Sequence, residues 1–206
     1  MKKVAVLNRR HTDKDSAKHK QLMLEINQLK KKLAKQEGVI QKLGRQALED
    51  PLTGLANRRA FDRALNRAIA NYKRYNHIGA ILLIDINQFK SINDSLGHLA
   101  GDAILQHIAS ILEIHTRNTD FIARIGGDEF CVILKEAKSL DANLKAAELE
   151  AAIAHTPCWH DGHEIHTSVS IGTCSFNESA HIVTLMEKAD AAMYLQKRSE
   201  DEHFNI

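Results

Sequence analysis

Apolar positions recur along residues 21–48 at alternating steps of four and three. They are Leu22, Ile26, Leu29, Leu33, Ile40, Leu43 and Ala47, with Gln36 filling the one polar place in the series. This is an unbroken heptad seam. Ile26, Leu33, Ile40 and Ala47 stand at a, and Leu22, Leu29, Gln36 and Leu43 at d, which favours a parallel two-stranded coiled coil. The competing reading is a single amphipathic helix packed on its own domain; the narrowness of the seam argues for the coil. Gly38 and Gly44 weaken the helix, and the polar d position at Gln36 fixes register at some cost in stability. The stretch "EDPLTGLANRRAF" (49–61) ends the period, because proline disfavours helix in the residue before it and Gly54 follows. A hinge is expected there, with helix resuming near Asn57 and running to about Tyr75.

Beyond residue 78 the period alternates between strand and helix. "GAILLIDI" (79–86) reads as a buried strand and "AGDAILQHIASILEIH" (100–115) as a helix. "FIARI" and "FCVIL" are rich in β-branched and aromatic residues and flank Gly126-Gly127, so they read as a hairpin whose glycines take the positive φ of a tight turn. A helix over 139–155, a strand over 166–176 and a last helix over 179–198 complete the chain. Strands mixed with crossing helices and one tight hairpin predict a three-layer α/β or α+β domain. Three segments follow from this: a basic tail (1–20), a dimerising helix (21–48) and a main domain (49–206).

Composition narrows the class without naming a function. Of 206 residues 44% are hydrophobic and 26% charged, as in globular proteins. No apolar run reaches the length of a membrane span, and the apolar part of "MKKVAVLNRRH" is too short for a signal peptide. Cys131, Cys158 and Cys174 form no CxxC pair, which predicts reduced thiols in the cytoplasm. Net charge is only +2, but residues 1–49 carry 13 Lys and Arg against 5 Asp and Glu, which leaves 15 against 21 of the chain's 28 and 26 for the rest. A basic front end admits nucleic-acid contact; a solvated lysine-rich helix is the plainer reading, since no aromatic residue stands there to stack on a base.

The chemistry concentrates at two places. "RIGGDEF" (124–130) sets two carboxylates just after two glycines. Glycines allow close approach of a ligand to the backbone, and paired carboxylates are hard ligands for Mg²⁺. Asp85 stands where the apolar run of the first strand stops, and a carboxylate there is costly unless a cation or donors compensate it. If those two strands are neighbours, Asp85 and Asp128 face each other, as acids do where two Mg²⁺ serve nucleotidyl transfer. A turn or helix-cap aspartate is the bland reading for Asp85.

"DPLTGLANRRAF", "DINQFKSIND", "GHLAGD", "RIGGDEF" and "ADAAMYLQK" follow one another in the order and spacing of the GGDEF family of diguanylate cyclases, which the chain resembles over roughly 49–198. The resemblance implies a palm-like fold similar to class III nucleotide cyclases, with a central sheet flanked by helices, and condensation of two GTP into cyclic di-GMP by a homodimer joined through the coil. It implies Mg²⁺, or Mn²⁺ in its place, held by Asp85, the Ile86 carbonyl, Asp128 and Glu129. Gly126 and Gly127 let the nucleotide pass close. Asn93 and Asp102 match the guanine readers, and a carboxylate accepting from guanine N1–H and N2–H₂ favours GTP over ATP. Gln88, Phe89 and Lys90 match the phosphate-binding positions and Lys197 the terminal-phosphate lysine. Arg117 and Asp120, in "RNTD", match the RxxD site through which the product inhibits, rather than a plain surface ion pair.

Two positions depart from the family pattern. Asn87 stands where a second Asp is usual, and Asp201 where an arginine commonly follows the lysine; an acid there repels a triphosphate, and Arg198 is the neighbouring cation able to substitute. A domain that binds cyclic di-GMP without making it therefore stands beside the cyclase reading. His155, Cys158, His160, His163 and His166 include zinc-ligand types, but their spacing fits no zinc template, and Asp161-Gly162 reads as a hairpin turn.

Overall fold

The computed structural model describes residues 22–40, 44 and 47–204, with side chains as far as Arg198. The basic tail, Leu43 of the seam and the side chain of Asp201 lie outside the described residues. The chain divides into two units, Met1–Ala47 and Leu48–Ile206. In the first, residues 22–40 form one helix, α1. Its seam residues Leu22, Ile26, Leu29, Leu33 and Ile40 are all exposed, Ile40 to 67%.

The second unit is a mixed sheet with helices on both faces. In chain order it runs β1 (Ala56–Asn57), α2 (Arg58–Tyr75), β2 (Gly79–Ile86), α3 (Phe89–Leu96), α4 (His98–His115), β3 (Phe121–Arg124), β4 (Glu129–Lys135), α5 (Ser139–His155), β5 (Cys158–His160), β6 (His163–Ile165), β7 (Val169–Ser175) and α6 (Ile182–Phe204). The five-stranded sheet has the order β1-β3-β4-β2-β7. β2 pairs antiparallel with β4 on one side and β7 on the other. β2 is an interior strand, paired on both sides and covered by helices on both faces, which is why its sequence is apolar almost throughout rather than alternating.

Successive side chains of a strand point to opposite faces, and β2 divides its residues accordingly. Ala80, Leu82, Ile84 and Ile86 pack with α4 and α5 residues such as Ile104, Ile108, Leu112 and Leu149. Ile81 and Leu83 pack on the other face with Phe61, Leu65 and Ile69 of α2 and Leu185, Ala189 and Met193 of α6. These α2 residues are spaced i, i+4, i+8 and bury one stripe of an otherwise polar helix. Asn57 caps α2 by accepting from the Ala60 N–H at 3.1 Å. Against β7, α6 lies so close that a Cβ at Gly172 would collide with the Ala189 carbonyl. That close approach directs the C-terminal half of α6 along the sheet.

Four details differ from the sequence reading or extend it. Helix α3 and the two-residue β1 were not expected. Gly126 and Gly127 do not take the positive φ expected of the hairpin; among the described residues the left-handed glycines are Gly54, Gly97 and Gly162. Within 49–61, the stretch expected as a hinge, residues 50–55 form a closed turn: the Asp50 N–H donates to the Leu55 carbonyl at 2.7 Å, and the Gly54 N–H to the Asp50 carbonyl at 2.9 Å. Asp161 and Gly162 form the tip between β5 and β6 with φ of 49° and 79°. Among the described residues no group of three His, Cys, Asp or Glu side chains is placed to hold a metal. All three cysteines are free and buried.

Candidate active site

The register of β2 on β4 sets Asp85 directly across from Glu129. One residue on, the Ile86 N–H donates to the Asp128 carbonyl at 3.4 Å. The sequence reading expected a face-to-face pair of Asp85 and Asp128; in the ladder the partner of Asp85 is Glu129, with Asp128 at the turn beside them. Burial raises the Asp85 pKa above the usual carboxylate range; Lys197 pulls it down, while Asp128 and Asp190 push it up. Glu129 is raised first by burial, then by the charges of Asp85 and Asp128. Three acids thus share one end of the sheet at mutual electrostatic cost.

The hairpin tip explains its glycines by space rather than by φ. The Glu129 carbonyl accepts from the Ile125 N–H at 2.9 Å and the Gly126 N–H at 3.3 Å, folding the tip tightly back. A Cβ at Gly126 would collide with the Glu129 carboxylate, whereas nothing lies within 4 Å of a Cβ placed at Gly127. Gly126 therefore makes room for Glu129, and Gly127 leaves an open approach for a ligand. Arg124 fixes the tip from beneath. Its Nε and Nη2 donate to the Gly127 carbonyl at 3.1 and 2.6 Å, and its Nη1 donates to Asp50 Oδ1 at 3.0 Å. Sequence reasoning assigned Arg124 no role; a basic residue heading a glycine turn was the available signal.

Lys197 reaches from α6 to Asp85, and its Nζ donates to Asp85 Oδ1. It lies against the carboxylate expected to hold a metal. As they stand, no three His, Cys, Asp or Glu side chains among the described residues are gathered closely enough to cage an ion. The donor chemistry nevertheless fits a divalent cation. Asp85, Asp128 and Glu129 are hard oxygen donors that repel one another, and a cation between them removes that repulsion.

Past Asp85 the chain turns through Gln88, whose φ is 54°, into α3. No side chain caps that helix. The N–H groups of its first turn lack helical partners and concentrate positive potential, and Gln88, Phe89 and Lys90 stand there. Such an end suits phosphate. A Cβ at Gly101 of α4 would collide with the Asn93 side chain and approach the Phe89 ring at 3.2 Å. Asn93 therefore lies against α4 one residue from Asp102, although nine residues separate the two in sequence. "QFKSINDSLG" did carry the helical signal: Phe89, Ile92 and Leu96 share a face and Gly97 ends it.

Arg117 and Asp120 lie elsewhere, at the turn before β3. Asp120 accepts from the backbone N–H of Arg117 and of Lys135, both at 3.1 Å. Their bond is thus through the backbone, and no ion pair joins the two side chains. Two clefts, of about 320 and 250 Å³, open on either side and both are lined by Arg117 and Asp120.

Residues 47–203 match the family model described as diguanylate cyclase, GGDEF domain. The chain belongs to that family. It is 37% identical over 199 residues to the diguanylate cyclase DgcP of Pseudomonas aeruginosa, covering 95% of this chain and 29% of that protein. It is 40% identical over 158 residues to the diguanylate cyclase TpbB of the same species, covering 76% and 36%. The chain thus spans about a third of the length of these curated relatives. Among solved structures it is similar to the coiled coil and GGDEF domain of DgcB from Caulobacter crescentus in complex with c-di-GMP, with a TM-score of 0.78, 28% identity and coverage of 86% of this chain and 95% of that one. The GGDEF domain of TpbB superimposes with a TM-score of 0.70 at 39% identity, covering 73% and 89%.

Within this GGDEF domain the first departure from the family pattern has a structural explanation. The Asn87 amide donates to Ser168 Oγ at 2.9 Å, and its carbonyl oxygen accepts from buried Ser170 at 2.8 Å. Asn87 therefore ties the end of β2 to β7. An aspartate there could not donate to Ser168. Two further charges that sequence reasoning left out bear on Glu129: Arg58, which lowers its pKa, and Asp190, which raises it. Among the described residues no helix is long and apolar enough to cross a membrane.

Proposed function

We propose that this chain is a diguanylate cyclase that condenses two GTP into cyclic di-GMP and two pyrophosphates. The observation that carries the reading is the β2–β4 register, which brings Asp85 across from Glu129 beside an uncapped helix N-terminus and an open hairpin tip. Asp85, Asp128, Glu129 and the Ile86 carbonyl would hold Mg²⁺ or Mn²⁺. When bound, such a cation supplies charge neutralisation at the phosphates and a lowered pKa at the attacking 3′-hydroxyl.

The chain's own groups do the rest. Asn93 and Asp102 hold the guanine edge; Asp102 accepts from N1–H and N2–H₂, which adenine does not present. The amides of Gln88, Phe89 and Lys90 take phosphate oxygens at the start of α3, and Lys197 takes the terminal phosphate. Asp128 or Glu129 accepts the proton of the 3′-hydroxyl. Each domain binds one GTP, so ring closure needs two domains face to face, each hydroxyl attacking the other's α-phosphate. The helix 22–40, with its exposed seam, supplies the pairing and hence the effective concentration. The product inhibits at Arg117 and Asp120, where the guanidinium addresses guanine O6/N7 and the clefts on both sides give room. The reaction takes place in the cytoplasm, where GTP is available.

A second reading is a domain that binds cyclic di-GMP at Arg117 and Asp120 without making it; Asp201 in place of an arginine favours it. Incubation with GTP and Mg²⁺, after stripping of copurified dinucleotide, separates the two. Cyclic di-GMP from GTP and nothing from ATP supports the cyclase and the role of Asp102. A dimeric sample that binds the dinucleotide tightly and yields no product supports the second.

A further inference from the structure

Lys197 and Asp85 form the contact with which the rest of the site is least consistent. Asp85 is 15% exposed and Lys197 35%. The ammonium comes from α6 and the carboxylate from β2, 112 residues earlier. A buried carboxylate needs a cation, and Lys197 provides one where the proposed metal would sit. An ammonium and a divalent cation cannot both lie against one carboxylate oxygen without strong repulsion. The lysine has four carbons between backbone and charge, so it can leave without any backbone change.

We propose that Lys197 is a resident counter-ion of Asp85, that a divalent cation enters only by displacing it, and that a triphosphate promotes the exchange by giving the freed ammonium a new anionic partner. This rests on the cyclase reading of the site. Its consequence is coupling: metal and nucleotide each strengthen the binding of the other through one side chain, and the coupling is reciprocal. In the absence of nucleotide the metal competes with Lys197 and binds weakly. With nucleotide bound the competition is gone. The exchange keeps the three acids from trapping free cation when no substrate is present, and it accounts for a site whose ligands are adjacent but not gathered.

Mn²⁺ binding to the full chain tests this, read from the loss of the aqueous Mn²⁺ signal in electron paramagnetic resonance. It is measured without nucleotide and with a GTP analogue carrying a methylene between the α- and β-phosphorus, which cannot release pyrophosphate. Lys197→Met is expected to tighten nucleotide-free Mn²⁺ binding at least fivefold and to reduce the enhancement given by the analogue by a similar factor. Lys197→Arg retains the charge and is expected to bind Mn²⁺ as weakly as the parent. Arg198→Met removes a charge one residue further along, and is expected to change the nucleotide-free affinity by less than twofold. Equal nucleotide-free affinity in the parent and Lys197→Met overturns the exchange, as does an equal gain in Lys197→Met and Arg198→Met. Asp85→Asn separates this failure from failure of the underlying reading: if it leaves Mn²⁺ binding intact in both conditions, the metal site itself is misplaced.

Discussion

Two carboxylates of this domain, Asp50 and Asp85, are both partly buried and both contact a cation, yet their environments push them in opposite directions. Burial works to raise Asp50, but the hydroxyl and N–H of Thr53, at 2.8 and 2.9 Å, and Arg124 at 3.0 Å outweigh it and bring its pKa below the usual value. Glu178 belongs with Asp50: the Ser175 and Ser139 hydroxyls, at 2.5 and 2.7 Å, lower it. Asp85 has Lys197 and no comparable set of donors, and burial together with neighbouring acids leaves it raised, as Glu129 is. The protein supplies donors where a carboxylate holds the fold together. Where it supplies too few, the deficit is the one that the proposed cation would relieve, at a cost in stability that functional sites commonly carry.

The largest expected effect breaks the comparison on the functional side. Glu129→Gln or Asp128→Ala should lower cyclic di-GMP formation by at least about 10³-fold in a dimeric sample; undiminished product would remove these acids from the chemistry. Next, Arg124→Ala should destabilise the domain by about 2 kcal/mol, because it leaves Asp50 and the Gly127 carbonyl without their donor. In a chain of this size that lowers Tm by about 4–8 °C, measured by calorimetry. It should also reduce turnover, since the tip that carries Asp128 and Glu129 loses its support.

A smaller effect has the opposite sign. A raised folded pKa means that the folded state holds its proton more tightly than the unfolded one, so stability falls as pH rises through the interval above the ordinary Glu value. At neutral pH the charge of Glu129 is therefore unfavourable to folding in the metal-free protein, and Glu129→Gln should raise Tm, by less than Arg124→Ala lowers it. Added Mg²⁺ should narrow that gap by stabilising the parent more than the variant. The smallest effect is at low pH. The depressed pKa of Asp50 contributes stability that is present above its unfolded pKa and lost as pH falls through its folded pKa. Asp50→Asn should flatten the dependence of stability on pH below about pH 4, seen in urea titrations at successive pH values; an unchanged slope would show that Asp50 is not so held.

Much of the fold was legible because it rests on local periodicity. The unbroken apolar run of β2, the stripe Phe61, Leu65, Ile69 of α2 and the β-branched strands around Gly126-Gly127 each declare their element within about ten residues. Helix α3 was hidden because it is only eight residues long, has no capping side chain and fully buries none of its residues, so its period is short. The positive φ expected at Gly126 and Gly127 failed because the ladder already closes the turn through the Glu129 carbonyl. What the glycines provide is space for the Glu129 side chain, which only the folded hairpin places beside them.

The sequence by itself determined the family, the longer helices and strands, the heptad seam and the identity of the acids around one strand end. These are carried by residue type and short spacing, and hydrophobic period acts within a single element. Only the tertiary structure decided which acid faces Asp85, that Arg124 joins the hairpin to the turn at Asp50, that Asn87 serves β7, and that Lys197 lies on the carboxylate expected to bind metal. Each of these pairs residues far apart in the chain, from 44 positions for Asp85 and Glu129 to 112 for Lys197 and Asp85. Strand register and helix packing bring such pairs together, and neither leaves a local mark on the sequence.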